Sequence, residues 1–355
     1  MKQYVFILFA IIFLMEATPV HAAQRASEDV FNYRAYEVAH VQEAWDQGLT
    51  GKGVKVAIID TGVDPRHPDL NADKLHVINC TLSHSKCITM VDKPNTDTDS
   101  HGTHVTGIIA AQHNGIGMKG MAPDVEIFSL KIGLAKEYRK GQRDFQKALK
   151  WILAYNEKQS DPNERIRIVN MSISGSMDAE KSELLHRIHE SGTILIAAAG
   201  NNGSIDPSTN WDHRSVAFPA RHRNVIAVGA VNGYEKRAGF TITTEEGKFS
   251  ATGPQVDIAA PGRYIYSTVP TNTVKNGVQQ LYAYKSGTSM ATPFITGMTA
   301  LYMQAYPHDS AEEIETRLLT NTKYIEGYTE KGHNWEYGNG IARMNTDPTF
   351  TAYTQ

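Results

Sequence analysis

The segment "VKVAIID", Val54 to Asp60, is a mainly apolar run that ends in an acid and is followed by Thr61 and Gly62. Such a run is too short for a helix and is typical of a strand buried in a parallel sheet. The pattern recurs in four more segments: Val125 to Ile132, Ile166 to Ser174, Gly192 to Gly200 and Asn224 to Val231. Helical patterns lie between these segments, notably at Gln142 to Lys158 and Ala179 to Ser191. The alternation predicts an α/β fold, with a parallel central sheet and helices on both faces.

Composition narrows the class of protein. The chain has 355 residues, of which 41% are hydrophobic, and a formal net charge of −3. Because there is no basic excess, we expect no nucleic-acid partner. No Pro/Ser-rich linker divides the sequence and no internal repeat is visible, so we expect one domain.

The first 22 residues have the pattern of a secretory signal peptide. Lys2 precedes an apolar run from Tyr4 to Met15, and a small-residue sequence that includes Ala22 and Ala23 follows. Glu16 ends the run before it reaches the roughly 18 apolar residues of a membrane span. We therefore expect cleavage after Ala22 or Ala23 and export to the periplasm or the extracellular space, without a membrane anchor.

Cys80 and Cys87 are the only cysteines and lie in the segment "CTLSHSKC". In an oxidising compartment, two cysteines at close spacing favour a disulfide that stabilises a local loop. The alternative is a metal pair with His84, although two Cys and one His make an incomplete zinc site.

Four polar residues in glycine-rich surroundings could carry acyl-transfer chemistry: Asp60, His101, Asn201 and Ser289. A serine nucleophile needs a base to take its proton and a third group to orient that base, and an Asn amide can stabilise the oxyanion. Each residue alone also has a structural explanation. Asp60 could cap a helix, His101 could be a core histidine, and Asn201 could be a turn residue. Ser289 could simply begin a helix.

The sequence around these residues resembles the signatures of the subtilisin-like serine proteases. Three signature blocks are matched by "VAIIDTGVD", "HGTHVTGIIA" and "GTSMATPFITG", and the oxyanion block by "AAAGNNG". The order Asp, His, Ser along the chain also agrees with subtilisin. The resemblance implies a three-layer catalytic domain over residues 41–345, followed by a tail at 346–355. Residues 23–40 are too few for a pro-domain with its own core, so we expect no full pro-domain.

The resemblance also assigns roles to the four residues. Ser289 would be the nucleophile, His101 the general base and acid, and Asp60 the carboxylate that orients the imidazole. Asn201 and the backbone N–H of Ser289 would bind the oxyanion. The implied activity is that of an endopeptidase, which hydrolyses peptide or protein substrates and uses no cofactor in catalysis. We also expect the protein to be a monomer.

The resemblance places the substrate beside two segments. Ser172, Ile173 and Ser174 would form one edge of the cleft by adding the peptide as a strand. The first side-chain pocket would lie between them and the segment that contains Ala199 and Gly200. Ala217, small and uncharged, would lie at its base, which predicts broad cleavage after apolar or aromatic residues.

Five further positions match ligands of a structural calcium ion in many members of the family: Asp69, Gln112, Asn114, Ile116 and Met118. Calcium prefers six or more oxygen ligands, which here would be side-chain oxygens of Asp69 and Asn114 and main-chain carbonyls of the other three. The sequence does not identify an N-terminal ligand, so the expected set is incomplete.

Two other functions compete with the peptidase. One is a catalytically silent protein-binding module on the same fold, although all four catalytic positions are filled. The other is a metal-dependent hydrolase that uses His101, His104 and acidic residues, but no HExxH-like pattern accompanies the two histidines.

Overall fold

The predicted parallel sheet is present in the computed structural model, which describes residues 32–133, 138–203, 216–239, 249–327, 329–330 and 332–345. The signal peptide predicted for residues 1–22, residues 23–31 of the N-terminal segment and the tail at 346–355 lie outside these ranges. Within the described residues, no helix combines the length and the apolar character needed to cross a membrane.

Helices and strands alternate along the central part of the chain. The α-helices are α1 Tyr33–Ala39, α2 Gln42–Asp46, α3 His101–Ala110, α4 Tyr138–Glu157, α5 Ala179–Glu190, α6 Thr288–Ala305 and α7 Ala311–Thr320. The first eight strands are β1 Lys55–Asp60, β2 Leu75–Asn79, β3 Ile88–Thr89, β4 Glu126–Lys131, β5 Ile166–Met171, β6 Ile194–Ala198, β7 Ile226–Val231 and β8 Ile258–Pro261. The later strands are β9 Ile265–Thr268, β10 Val274–Lys275, β11 Val278–Gln279, β12 Tyr282–Lys285, β13 Thr322–Lys323, β14 Thr329–Glu330, β15 His333–Asn334 and β16 Ile341–Ala342. Two 3₁₀ turns lie at Ala72–Lys74 and Pro162–Glu164.

Ten strands form the central sheet, in the order β13-β16-β8-β7-β6-β5-β1-β4-β2-β3. The pairs from β16 to β2 are parallel, whereas β2 with β3 and β13 with β16 are antiparallel. Strand β1 lies between β5 and β4, where the order of the strands along the chain changes direction. This switch point is where open α/β sheets place their ligands, beyond the carboxyl ends of the strands.

Successive residues of β1 enter two different hydrophobic cores. Val56 and Ile58 pack in the core that contains residues of α3 and α6, whereas Ala57 and Ile59 pack in the core that contains residues of α4 and α5. Every residue of the strand is buried, which explains why its sequence is an apolar run instead of an alternating pattern. The three-layer α/β prediction is therefore confirmed.

The five predicted strands and two predicted helices exist, with shifted ends. The strand predicted for Ile166 to Ser174 ends at Met171, and the helix predicted from Gln142 begins at Tyr138. The predicted disulfide between Cys80 and Cys87 is also confirmed. It closes the loop between β2 and β3, where Lys147 donates hydrogen bonds to the carbonyls of Cys80 and Ser83.

Candidate active site

Asp60 and His101 form a hydrogen-bonded pair beyond the carboxyl end of β1. The Nδ1 atom of His101 lies 2.8 Å from Oδ1 of Asp60, whose carboxylate is fully buried. The same carboxylate oxygen accepts the main-chain N–H of Thr61 at 2.7 Å. Gly102 allows the start of α3 to lie close to the turn after β1, because a Cβ atom at this position would lie 2.1 Å from the carbonyl oxygen of Gly62. The side chain of His101 remains 21% exposed, so the ring joins a buried carboxylate to the surface.

The electrostatic environment favours a basic imidazole. Burial disfavours the charged ring, but the charge of Asp60 and its hydrogen bond outweigh that cost, and the pKa of His101 is raised above 6.5. Lys285 acts against this rise and Asp97 adds to it. With Nδ1 donating to Asp60, the lone pair of the neutral ring is on Nε2, where a general base needs it.

Ser289 is the second residue of α6. Its hydroxyl donates a hydrogen bond of 3.1 Å to the main-chain carbonyl of Ser172, and among the described residues it forms none with His101. Catalytic hydrogen bonds are often long or poorly aligned before substrate binds, so this rotamer is compatible with a later transfer of the proton. The start of a helix also favours negative charge that develops on the serine.

Asn201 is fixed by the residue that precedes Ser289. Its Oδ1 atom accepts the main-chain N–H of Thr288 at 2.9 Å and the Thr288 hydroxyl at 3.0 Å. Because both Thr288 groups are donors, the amide atom that they contact is the oxygen, and the Nδ2 donor is not used in these bonds. A Cβ atom at Gly287 would lie 3.2 Å from Nδ2, so glycine at this position keeps the amide donor uncovered.

A chain of buried polar side chains joins the sheet to the start of α6. Thr296 donates to Asn170 at 2.9 Å, Asn170 donates to the Ser172 hydroxyl at 3.0 Å, and Ser172 donates to the carbonyl of Ser289 at 2.9 Å. All three of the linking side chains are at most 2% exposed. Because buried polar groups are costly when unpaired, the complete chain fixes the distance between β5 and Ser289.

Asp97 is a site residue that the sequence analysis missed. Its Oδ1 atom accepts the Thr61 hydroxyl at 2.8 Å and the main-chain N–H groups of Asp99 and Ser100 at 3.1 and 3.0 Å. Its Oδ2 atom accepts the N–H and hydroxyl of Thr103 at 2.8 and 2.6 Å. One carboxylate therefore joins the residue after Asp60 to the first turn of α3. The Asp- and Thr-rich segment before "HGTH" is a helix-start signal that could have indicated it.

The comparisons with known proteins agree on one family. The model of the subtilase family matches residues 51–340. The chain belongs to the subtilase family. It is 33% identical to the minor extracellular protease Epr of Bacillus subtilis strain 168, over 92% of this chain and 43% of that protein. It is 33% identical to subtilisin amylosacchariticus of Bacillus subtilis subsp. amylosacchariticus, over 84% of this chain and 66% of the relative.

One further sequence relative and one solved structure are also similar to the chain. A subtilisin of Bacillus pumilus is 32% identical, over 84% of this chain and 92% of the relative. The structure of fervidolysin from Fervidobacterium pennivorans, described as a keratinolytic enzyme related to subtilisin, matches with a TM-score of 0.68. That match is 25% identical and covers 90% of this chain and 46% of fervidolysin. The chain thus spans less than half of fervidolysin and of Epr.

In this subtilase, the predicted substrate-binding residues lie on neighbouring segments. Ser172 and Ile173 are buried and Ser174 is exposed, directly beyond the end of β5. Ala217 donates its N–H to the carbonyl of Ala199 at 2.8 Å, which brings the predicted base of the pocket to its predicted wall. Gly200 donates its N–H to the hydroxyl of Thr288 at 3.1 Å, so this segment also reaches the start of α6.

A small pocket that the sequence analysis did not predict lies beside Ile173. Apolar and glycine residues dominate its wall, including Ile132, Gly141, Phe145 and Phe218. Because Ser174 and Gly175 also line it, the pocket is continuous with the predicted peptide-binding edge.

His104 is part of the core of the subtilase. It is fully buried and donates from Nε2 to the carbonyl of Ala283 at 3.0 Å. Burial lowers the pKa of His104 to about 3, so the ring is neutral and fastens α3 to β12.

The predicted calcium ligands of the subtilase are only partly assembled. Asp69 is fully buried, and its Oδ2 atom accepts the N–H of Met118 at 3.4 Å and the hydroxyl of Tyr282 at 3.3 Å. The N–H of Gln112 donates to the carbonyl of Asp69 at 2.9 Å, which places the start of the predicted loop beside it. Asn114 instead directs its side-chain oxygen at the N–H of Ile116, 3.1 Å away. The mixture of a buried carboxylate and neutral oxygens fits calcium chemically, provided that Asn114 turns.

Proposed function

We propose that this subtilase is a serine endopeptidase with Asp60, His101 and Ser289 as its catalytic triad. The observation that carries the proposal is the 2.8 Å contact of His101 Nδ1 with the buried carboxylate of Asp60. That contact fixes the tautomer in which Nε2 can accept a proton. The start of α6 brings Ser289 to the same edge of the sheet, beside Ser172 at the end of β5.

The reaction begins when the Ser289 hydroxyl leaves the Ser172 carbonyl and turns to His101. Its proton passes to Nε2 as the oxygen attacks the scissile carbonyl, and the imidazolium is stabilised by Asp60. The C–N bond then breaks, and His101 returns the proton to the departing amine, which leaves an acyl-enzyme. A water molecule then attacks the acyl carbon while His101 takes one of its protons. The bond between that carbon and the Ser289 oxygen breaks, His101 returns the proton to the serine oxygen, and the product leaves as a carboxylic acid.

Asn201 is the proposed side-chain donor to the oxyanion. Its support is the pair of hydrogen bonds that hold Oδ1 against Thr288 and so preset the direction of Nδ2. A donor fixed in advance needs no reorganisation when charge develops on the substrate oxygen. The N–H of Ser289, at the positive end of α6, is the proposed second donor.

The proposed substrates are extended peptide segments of proteins. Main-chain groups beyond β5 would pair with the peptide without reading its sequence, which favours broad specificity. Ala199, Gly200 and Ala217 are small, so the first pocket has room for apolar or aromatic side chains. The apolar pocket around Ile173 extends the same preference to a residue further from the scissile bond.

Export is also part of the proposal. It is supported by the signal-like sequence at residues 1–22, by the disulfide and by the word extracellular in the name of the relative Epr. A monomer without nucleic-acid partners remains our prediction. A calcium ion held by Asp69 and the loop at 112–118 is proposed as a structural element that takes no part in catalysis.

A fluorophosphonate probe tests the proposed function. The probe should label the wild-type protein at Ser289 and leave Ser289→Ala unlabelled, with loss of peptide hydrolysis in the variant. Labelling that survives this substitution would overturn the assignment of the nucleophile. A folded wild type that is neither labelled nor hydrolytic would favour the silent binding module, and activity lost only to a chelator would favour a metal-dependent hydrolase.

A further inference from the structure

Lys285 reaches from β12 to the residue immediately before His101. Its Nζ atom donates hydrogen bonds to the main-chain carbonyl and the hydroxyl of Ser100, at 2.8 and 2.9 Å. Lys285 ends β12, only four positions before Ser289 along the chain. One side chain thus spans the two segments that carry the proposed nucleophile and base.

Ser100 has a conformation that needs such support. It precedes α3 with φ of 61° and ψ of 14°, the left-handed region that side chains other than glycine rarely adopt. Asp97 holds its N–H, and Lys285 holds its carbonyl and hydroxyl. All polar groups of Ser100 are therefore fixed from outside, and the direction in which the chain enters His101 is fixed with them.

The ammonium group of Lys285 is not neutralised by a direct partner. Among the described residues, no carboxylate lies within ion-pair distance of it, and its hydrogen bonds end on neutral oxygens. Its half-buried position disfavours the charge and lowers the pKa of Lys285, while Asp97, Asp99 and Asp60 act in the opposite direction. Lysine ordinarily titrates near pH 10.4 and both hydrogen bonds of Nζ are donated, so we take the amine to be charged at neutral pH.

We infer that Lys285 is a positioning residue for His101, which holds the left-handed Ser100 in place and sets a positive charge at the residue directly before the imidazole. The inference rests on the proposed function, since it concerns the proposed general base. The groups that face His101 are Asp60 from β1, Asp97 from the preceding loop and Lys285 from β12; His104 on the same helix is neutral. The two acids favour the protonated ring, and Lys285 favours the neutral ring that can act as a base.

Removal of the charge tests this inference. In Lys285→Met the two acids act unopposed, so the pKa of His101 rises and the acid limb of the kcat/KM profile moves to higher pH. We expect a displacement of about 0.5 pH unit, the order of effect of one partly screened charge near the ring. Lys285→Arg keeps the charge and should retain the wild-type limb. Lys275→Met, at an exposed position on β10, is the control for the change in net charge.

A second pair of measurements separates charge from shape. Ser100→Ala removes the hydroxyl that Lys285 binds but keeps the cation, so kcat/KM should fall a few-fold at all pH values while the limb stays in place. An NMR titration of the His101 ring in Ser289→Ala, with and without Lys285→Met, measures the same displacement without catalysis. It therefore tests the inference even where the peptidase proposal fails.

An unmoved His101 titration in Lys285→Met, with the variant shown to be folded by its melting curve, would overturn the inference. So would a Lys285→Arg variant that shifts as far as Lys285→Met, because the effect would then follow from shape alone. Should Lys285→Met not fold, Lys285→Gln, which can still donate to Ser100, takes its place and is read against the same outcomes.

Discussion

The substitution Asp97→Asn tests whether this carboxylate holds the start of α3, and with it His101. The two oxygens of Asp97 accept five hydrogen bonds, three on Oδ1 and two on Oδ2. An asparagine of the same size can serve the three donors with its oxygen. Its NH₂ group must then face the N–H and the hydroxyl of Thr103, which in the wild type donate to Oδ2 of Asp97.

The magnitude follows from the burial of Thr103. This residue is fully buried, so its N–H loses its acceptor where water cannot replace it. An unsatisfied buried group costs about 1–3 kcal/mol, and losing a negative charge near a helix N-terminus costs about 0.3–1 kcal/mol more. We therefore expect the free energy of unfolding to fall by about 3 kcal/mol and the melting temperature by about 4 °C. We also expect lower kcat, because Asp97 orients the turn that carries His101.

Asp99→Asn is the matched control for this experiment. It makes the same chemical change two positions away, at an exposed residue, and should change the free energy of unfolding by less than about 0.5 kcal/mol. Both variants are melted in the Ser289→Ala background, which prevents self-digestion. Melting temperatures for the two variants that agree within error would refute the argument that the bonds of Asp97 support the helix start.

Three further predictions concern pH, the disulfide and calcium. The raised pKa of His101 places the acid limb of kcat/KM above pH 6.5, because the base must lose its proton to act. A limb below 6.5 in a pH profile would contradict the effect of Asp60 on His101. Replacing Cys80 and Cys87 together by serine should lower the free energy of unfolding by about 2.5 kcal/mol at most in urea denaturation, and a much larger loss would mean that the bridge supports more than its own loop. The melting temperature of the wild type should be higher in calcium than in chelator, whereas that of Asp69→Asn should be the same in both. Equal melting temperatures for the wild type would rule out the proposed calcium site.

The strands at the centre of the sheet were predictable because burial on both faces leaves a clear signal in the sequence. Val56 to Ile59 of β1 are all apolar, and the polar residues at or after the strand ends, Asp60, Ser172 and Asn201, then come to one edge of the sheet because the strands share a direction. Edge strands lack this signal. β9 and β12 pair with each other outside the main sheet and mix tyrosines with small and polar residues, so their sequences do not reveal them.

Errors at the ends of elements have local causes. The strand predicted up to Ser174 stops at Met171, because the carbonyl of Ser172 accepts the hydroxyl of Ser289 and its side chain donates to the carbonyl of Ser289. These contacts cross 117 positions of sequence. The bond from Lys285 to Ser100 crosses 185 positions, which no local pattern can show. The family signatures nevertheless identified the four catalytic candidates from the sequence, because each lies in its own short motif.

The hairpin of β9 and β12 links the helix of the proposed base to the segment before the proposed nucleophile. On β9, Ser267 and Thr268 donate to the carbonyls of His104 and Thr103, at 2.7 and 2.8 Å, so the first turn of α3 is bonded to this strand. On β12, the carbonyl of Ala283 accepts from His104, and the strand ends at Lys285, shortly before Ser289. The contacts of Ser267 and Thr268 with α3 are buried, so a shift of the hairpin must carry the first turn of α3 with it. A two-stranded element that carries none of the proposed catalytic residues therefore helps to set the separation of the proposed base and nucleophile.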